Sequence, residues 1–217
     1  MIKSISLDHS GGYYQYRLHI LKLNKLCKGN GFSVLDNYLN EVLTSCPHDY
    51  FLTGPRGSSL KFKLTVDLIE VTGHEVSSLA RVGLDVNKDR FRTAHSQVQV
   101  FMLENDNSTV AVEVPVWLEP NEMENFKEIF RSEIPLTGHI DLLRLDNNKI
   151  WVWDYKPNAL LEKYASTQVY FYALMLSKRT KLPFKDFRCG YFDSNYAYMF
   201  DPNKIKLPRN LNIGLFV

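Results

Sequence analysis

No stretch of this 217-residue sequence approaches the roughly 18 consecutive apolar residues that a membrane-spanning helix needs. The opening MIKSISLDHSGG has no apolar core of the kind a secretion signal carries. Cysteine is scarce. Cys27, Cys46 and Cys189 are odd in number and far apart, and show neither a disulfide framework nor the spacing of a zinc or iron–sulfur site. Reduced thiols in a cytoplasmic setting are the expectation. A dominant charge sign is missing too: 26 Lys and Arg against 24 Asp and Glu leave a net charge of +2. There is no internal repeat, low-complexity tract or linker, which argues against a repeat array or loosely tethered modules.

What is present is apolar and aromatic mass. At 45% hydrophobic and 13% aromatic, the chain can bury a substantial core as one compact domain, with room for an appended lobe. The charge is unevenly spread. Residues 1–102 hold 12 basic and 9 acidic side chains, residues 103–154 hold 4 and 11, and residues 157–217 hold 9 and 4. An acidic centre between basic flanks fits a cation site approached by a polyanion, and equally fits an ordinary protein with patchy charge.

Local patterns give a mixed α/β order. β-prone pieces lie around Tyr13–Leu23 and end at the turn-like Lys28-Gly29-Asn30-Gly31. Ser33 can cap a helix with Leu35, Tyr38, Leu39 and Val42 at helical spacing, stopped by Cys46-Pro47. Leu60–Ile69 alternates and predicts a strand with Lys61 and Lys63 on one face. A helical stretch breaks near Asp85–Asn87 and resumes over about Lys88–Leu103, with His95 beside its apolar stripe. Thr109–Trp117 is a strand with Val110, Val112, Val114 and Val116 on one face and Glu113 amid the other. Asn121–Phe130 is read as a loop or short surface helix. Leu160–Lys178 is a helix apolar nearly all round, in which Gln168 and Tyr172 share a face. Phe187–Phe192 and Tyr196–Phe200 form a last hairpin, and Asp201–Val217 is an irregular tail.

The chain is organised around Gly138–Lys156, GHIDLLRLDNNKIWVWDYK. Two apolar runs flank Asn147-Asn148, residues that tolerate positive φ, so the stretch predicts a β-hairpin. Counting back from that turn, Asp141 faces Asp154 and His139 faces Lys156, all on one side of the sheet. Opposed carboxylates repel unless a cation lies between them. A hard divalent ion is the natural candidate. The same residues also fit an edge hairpin with solvated acids. However, Leu143, Leu145, Ile150 and Val152 on the acids' face, and Ile140, Leu142, Trp151, Trp153 and Tyr155 on the other, predict a strand pair covered on both sides.

The ordered set is a helix with His95, a strand with Glu113, a strand with Gly138-x-x-Asp141, a strand with Asp154-x-Lys156, and a helix with Gln168-x-x-x-Tyr172. This resembles the PD-(D/E)XK nuclease superfamily, and within it the RecB-like branch, over roughly His95 to Asp201. The resemblance implies a restriction-endonuclease-like core over residues 91–217: a mixed central sheet flanked by helices. Residues 1–90 would be an α+β extension packed on it. It implies that Asp141 and Asp154 bind Mg²⁺ or Mn²⁺ with the Tyr155 carbonyl, and that Lys156 positions or activates the attacking water. His95 would be an extra metal ligand, Glu113 an acid holding a metal-bound water, and Gln168 and Tyr172 a helix motif beside the site. Asp154 stands where Glu is commoner, and Ile140 replaces the Pro that names the motif. The three cysteines do not match the four-cysteine cluster of some relatives, so no iron–sulfur cluster is expected.

The resulting expectation is a metal-dependent nuclease acting on nucleic acid, DNA before RNA, with no membrane partner. It could act as a homo-oligomer or within a larger nuclease assembly. The alternatives are a non-catalytic nucleic-acid-binding or structural module on the same scaffold, and an unrelated α/β enzyme with incidental hairpin acids.

Overall fold

A computed structural model of the chain describes residues 1–207. The elements run β1 Ile2–His9, β2 Gly12–His19, α1 Ile20–Asn30, α2 Ser33–Glu41, α3 Tyr50–Thr53, β3 Ile69–Thr72, α4 Glu75–Val86, α5 Ala94–Asn105, β4 Thr109–Leu118, α6 Phe126–Phe130, β5 Leu136–Asp146, β6 Lys149–Tyr155, α7 Ala165–Thr180, β7 Phe187–Phe192 and β8 Tyr196–Phe200. All eight strands join one sheet in the order β1-β2-β4-β5-β6-β7-β8-β3. Only β6 and β7 pair in parallel, as a strand–helix–strand crossover through α7 requires. The result is the mixed sheet flanked by helices that the sequence predicts.

The β5–β6 hairpin sits at the centre, and its turn residues Asn147 and Asn148 adopt φ of 50° and 55°. Its register is the expected one, with Asp146 opposite Lys149 and Leu142 opposite Trp153. Both faces are covered. Helices α4 and α5 bring Val76, Ala80, Val98 and Met102 against Leu142, Trp153 and Tyr155. Helices α1, α2, α6 and α7 bury Leu23, Leu35, Phe126 and Phe171 with Leu143, Leu145, Ile150 and Val152. Each fully buried Leu, Val or Phe contributes about 1.5–3 kcal/mol, so this double cover stabilises the central strands most. No helix among the described residues is long and apolar enough to cross a membrane.

Several expectations are corrected. The β-prone start resolves into a hairpin, β1–β2, followed by α1, which Gly31 ends in the left-handed conformation at φ 73°. Residues 60–68 do not form a strand; only Ile69–Thr72 pairs, with β8. The alternation there instead buries Leu60 and Leu64, and Thr167 satisfies the backbone, donating to the Phe62 carbonyl and accepting from the Leu64 N–H. Helix α5 starts at Ala94, capped by Thr93, leaving Phe91 outside it. Helix α6 buries Phe126, Ile129 and Phe130, so it is not a surface element.

Strand β4 departs from strict alternation. Val112 packs on the α4–α5 side, whereas Val110, Val114 and Val116 join the opposite core. Two irregularities account for this: a register shift between Thr109 and Ala111, and Glu113, which has a φ of 54° between two buried valines. Ile140, paired with Val114, follows it to the α7 side. Asp201–Leu207 is irregular apart from one short turn, and the remainder of the expected tail, 208–217, lies outside the described residues.

Candidate active site

The backbone ladder between β5 and β6 ends at Leu142 and Trp153. Asp141 and Asp154 are the next residue on each strand. There the chains part: the Tyr155 N–H donates to Asp141 Oδ2 at 2.9 Å, and the Lys156 N–H to the Phe192 carbonyl of β7 at 2.8 Å. The parting opens a cleft of about 470 Å³ whose wall includes Asp141, Asp154, Lys156, Glu113, His95, His139, Gln168 and Tyr172. The structure therefore gathers the sequence-predicted side chains in one place; Tyr155 is expected to contribute its backbone carbonyl, and its side chain lies elsewhere. That ring packs on the α4–α5 side, edge-on to His95. The expected opposition of His139 and Lys156 is not made, because the strands have separated; His139 Nε2 instead lies 2.8 Å from His9 Nδ1.

One amide ties the cleft together. Gln168 Oε1 accepts from Lys156 Nζ at 3.1 Å, while its Nε2 lies 3.0 Å from both Asp154 Oδ1 and the Tyr172 hydroxyl. Lys156 Nζ also sits 2.7 Å from Asp154 Oδ2. The predicted pairing of Gln168 and Tyr172 on one face of α7 is thus used. Tyr172 reaches the cleft across Gly138, where a Cβ would collide with its ring. His95, at the start of α5, places Nε2 3.7 Å from Asp141 Oδ2. Gln99, one turn on, donates to Glu113 Oε1 at 2.7 Å.

Charge in the cleft is unbalanced. Burial, then the neighbouring charge of Asp154, pushes the Asp141 carboxyl up to about 6. Burial and the charge of Asp141 push Glu113 up to about 8, against the Gln99 hydrogen bond. For Lys156 burial works downward, but Asp154 and Asp141 outweigh it and hold the amine at about 12. One ammonium faces three carboxylates. In addition, Asp154 Oδ2 is buried and accepts no aligned hydrogen bond despite its ion pair with Lys156. Carboxylate oxygens held in excess of their donors are the donor set a hard divalent cation takes, so these residues fit such an ion.

Sequence reasoning misses part of the wall. Tyr14, Arg56 and Ser58 come from the N-terminal region and Thr93 from the cap of α5. Arg56 donates to the Tyr14 hydroxyl, and Tyr14 stacks on His139 at 3.7 Å between ring centres. These residues lie far from Asp141 in sequence, and the single local hint is an arginine between the turn residues Pro55 and Gly57. All four carry a polar group, a guanidinium on Arg56 and hydroxyls on Tyr14, Ser58 and Thr93.

A family model for the PD-(D/E)XK nuclease superfamily matches residues 69–207, close to two thirds of the chain. No curated protein matches it.

Proposed function

The chain belongs to the PD-(D/E)XK nuclease superfamily, and on that premise we propose that it is a metal-dependent nuclease that hydrolyses phosphodiester bonds in DNA. The observation that carries this reading is the cluster of Asp141, Asp154 and Glu113 in one cleft with Lys156 beside Asp154. Asp141 and Asp154 would hold Mg²⁺ or Mn²⁺ together with the Tyr155 carbonyl. His95 would add a ligand as in the RecB-like branch, and Glu113 would hold a water bound to the ion. A bound divalent ion supplies a water of lowered pKa and an electrophilic contact to a phosphate oxygen.

The chain's own groups define the rest. Lys156, held at about 12, stays protonated through neutral pH and offers a point charge to a phosphate oxygen. It would position or activate the attacking water. Gln168 fixes the lysine against Asp154, so that the cation and the acids keep one geometry. Glu113, raised by burial and by Asp141 to about 8 before an ion binds, would give up its proton as the ion and its water are taken up. Arg56 and Tyr14 line the entrance, where a neighbouring phosphate would lie. Residues 1–90 are read as an extension that completes this wall.

The test is incubation with single-stranded DNA, double-stranded DNA and RNA, in Mg²⁺, Mn²⁺ or chelator. Cleavage of DNA that needs metal, and that is lost in Asp141→Ala, Asp154→Ala and Lys156→Ala, is the expected result. Undiminished cleavage in Asp154→Ala would remove the mechanism. Binding of DNA without cleavage in any metal would favour the non-catalytic module.

A further inference from the structure

A second cluster lies behind the cleft wall. His9 ends β1, and Cys46 and His48 occupy the connection between α2 and α3. The His48 N–H closes a tight turn on the Cys46 carbonyl at 2.9 Å. A further bond of 2.9 Å, from the Ser10 N–H to the Phe51 carbonyl, ties the end of β1 to α3. One ligand-type atom from each of His9, Cys46 and His48 lies within 4.8 Å of the other two, and His9 Nε2 is 3.0 Å from His48 Nδ1.

We propose that His9, Cys46 and His48 form a binding site for one zinc-type ion, chemically distinct from the carboxylate cluster. Two imidazoles and a thiol are a nitrogen–sulfur set, which selects a borderline-soft cation such as Zn²⁺ over Mg²⁺. The ring of His9 is already oriented. It stacks on Phe51 at 4.2 Å between ring centres, and its Nδ1 is engaged by His139 Nε2 at 2.8 Å. A ligating histidine whose other nitrogen is held by a neighbour is the usual arrangement at metal sites. His9 and Cys46 are buried and His48 is exposed, so one ligand can adjust and the ion has a way in. A fourth position is left to water, as in other three-ligand zinc sites.

Loading the site breaks the Cys46 S–H bond and forms a sulfur–metal bond. The proton leaves to solvent and no redox change is involved. Because the sulfur must lose its proton to bind, uptake competes with protons and tightens as pH rises. The occupied site would clasp β1 to the α2–α3 connection. Through His9 and His139 it would also brace the wall that Tyr14 stacks against.

The test uses full-length protein stripped by chelator and titrated with Co²⁺, then Zn²⁺, with Mg²⁺ in excess to hold the carboxylate site. One Co²⁺ per chain should bind, with a thiolate-to-cobalt charge-transfer band and the visible bands of a tetrahedral ion, both erased by Zn²⁺. The charge-transfer band should vanish in Cys46→Ser, and affinity should fall at least about ten-fold in His48→Asn, an exposed position whose variant is expected to fold. Asp154→Asn should bind as the parent does. Zn²⁺ should raise the Tm of the parent and leave that of Cys46→Ser unmoved. Absence of a charge-transfer band in the folded parent, or its survival in Cys46→Ser, would overturn the proposal and reduce the His9–His48 contact to a hydrogen bond.

Discussion

Strand β5 carries two buried charges three residues apart, and their surroundings differ. Arg144 points to a closed set. Its Nε donates to Asp106 Oδ2 at 2.8 Å, and its Nη2 donates to Asp106 Oδ1 at 3.2 Å and Glu75 Oε2 at 2.8 Å. Asp106 also accepts from the Ser108 N–H and the Thr109 hydroxyl. Burial alone would raise the Asp106 carboxyl, but the bonds and charge of Arg144 outweigh it and hold the group below the usual carboxylate range. At Asp141 the balance goes the other way, and burial with a second carboxylate pushes it up. The same strand therefore carries one buried charge matched by its hydrogen-bond partners and another set beside a second carboxylate. The first serves stability; the second is kept at a cost in stability, which is the usual mark of a site.

The two acids should respond oppositely to neutralisation. Asp141→Asn should lower metal-dependent cleavage by about 10²–10³-fold or more, the scale of losing a transition-state charge contact. Without metal at pH 8 the variant should be at least as stable as the parent, as read by thermal melting. Asp106→Asn should leave Arg144 buried without its anion and cost about 3–5 kcal/mol in denaturant unfolding, with cleavage per folded molecule little changed. A cost for Asp106→Asn below about 1 kcal/mol, within the range of an exposed pair, would break the comparison.

Smaller effects sharpen it. Gln168→Ala removes the amide that bridges Lys156, Asp154 and Tyr172 and should slow cleavage about 10–100-fold, the usual effect of removing a group that orients a site. It should do so in kcat more than in KM. The smallest effect concerns pH. Asp141 and Glu113 have folded-state values raised to about 6 and about 8 from ordinary values of 3.8 and 4.5. Their neutral forms are favoured by folding, so the metal-free protein loses stability as pH rises from about 4 toward 8. Bound Mg²⁺ displaces those protons, so the increase in Tm on adding Mg²⁺ should grow across that range. A constant increment would show that the acids do not hold the ion.

The central hairpin was legible because its information is local. Asn147-Asn148 sets the turn, and the turn sets which acids meet. The β7–β8 hairpin was equally legible from its turn residues, and periodicity found helix α7 but set its start at Leu160, before the observed Ala165. Residues 60–68 were not, since the pattern Lys61-Phe62-Lys63-Leu64 shows alternating burial but cannot show that Thr167, a hundred residues on, will take the backbone bonds that another strand would. The alternation of β4 failed at Glu113, because a glutamate in the left-handed region is a tertiary outcome with no sequence signature. The set His9, Cys46 and His48 escaped for a similar reason: Cys46-x-His48 is too short a motif to signal a metal alone, and its third member is brought by the β1–β2 hairpin. At the candidate site, sequence singled out the acids, lysine, glutamine and tyrosine that the structure gathers. Of the Tyr14–Arg56 side of the cleft it gave only an arginine set between the turn residues Pro55 and Gly57.

The sheet order has a bearing on how the chain is assembled. The stretch before α4 supplies both margins of the sheet, β1–β2 beside β4 and β3 beside β8. A fragment starting at residue 91 would present open hydrogen-bonding margins on β4 and β8, inviting intermolecular strand addition and precipitation. During synthesis the β1–β2 hairpin emerges well before β4, beside which it must pack, and β3 must wait for β8. Such long-range closures slow folding, so the nascent chain would rely on its early helices, α1 and α2, to shelter apolar surface until its last strands arrive.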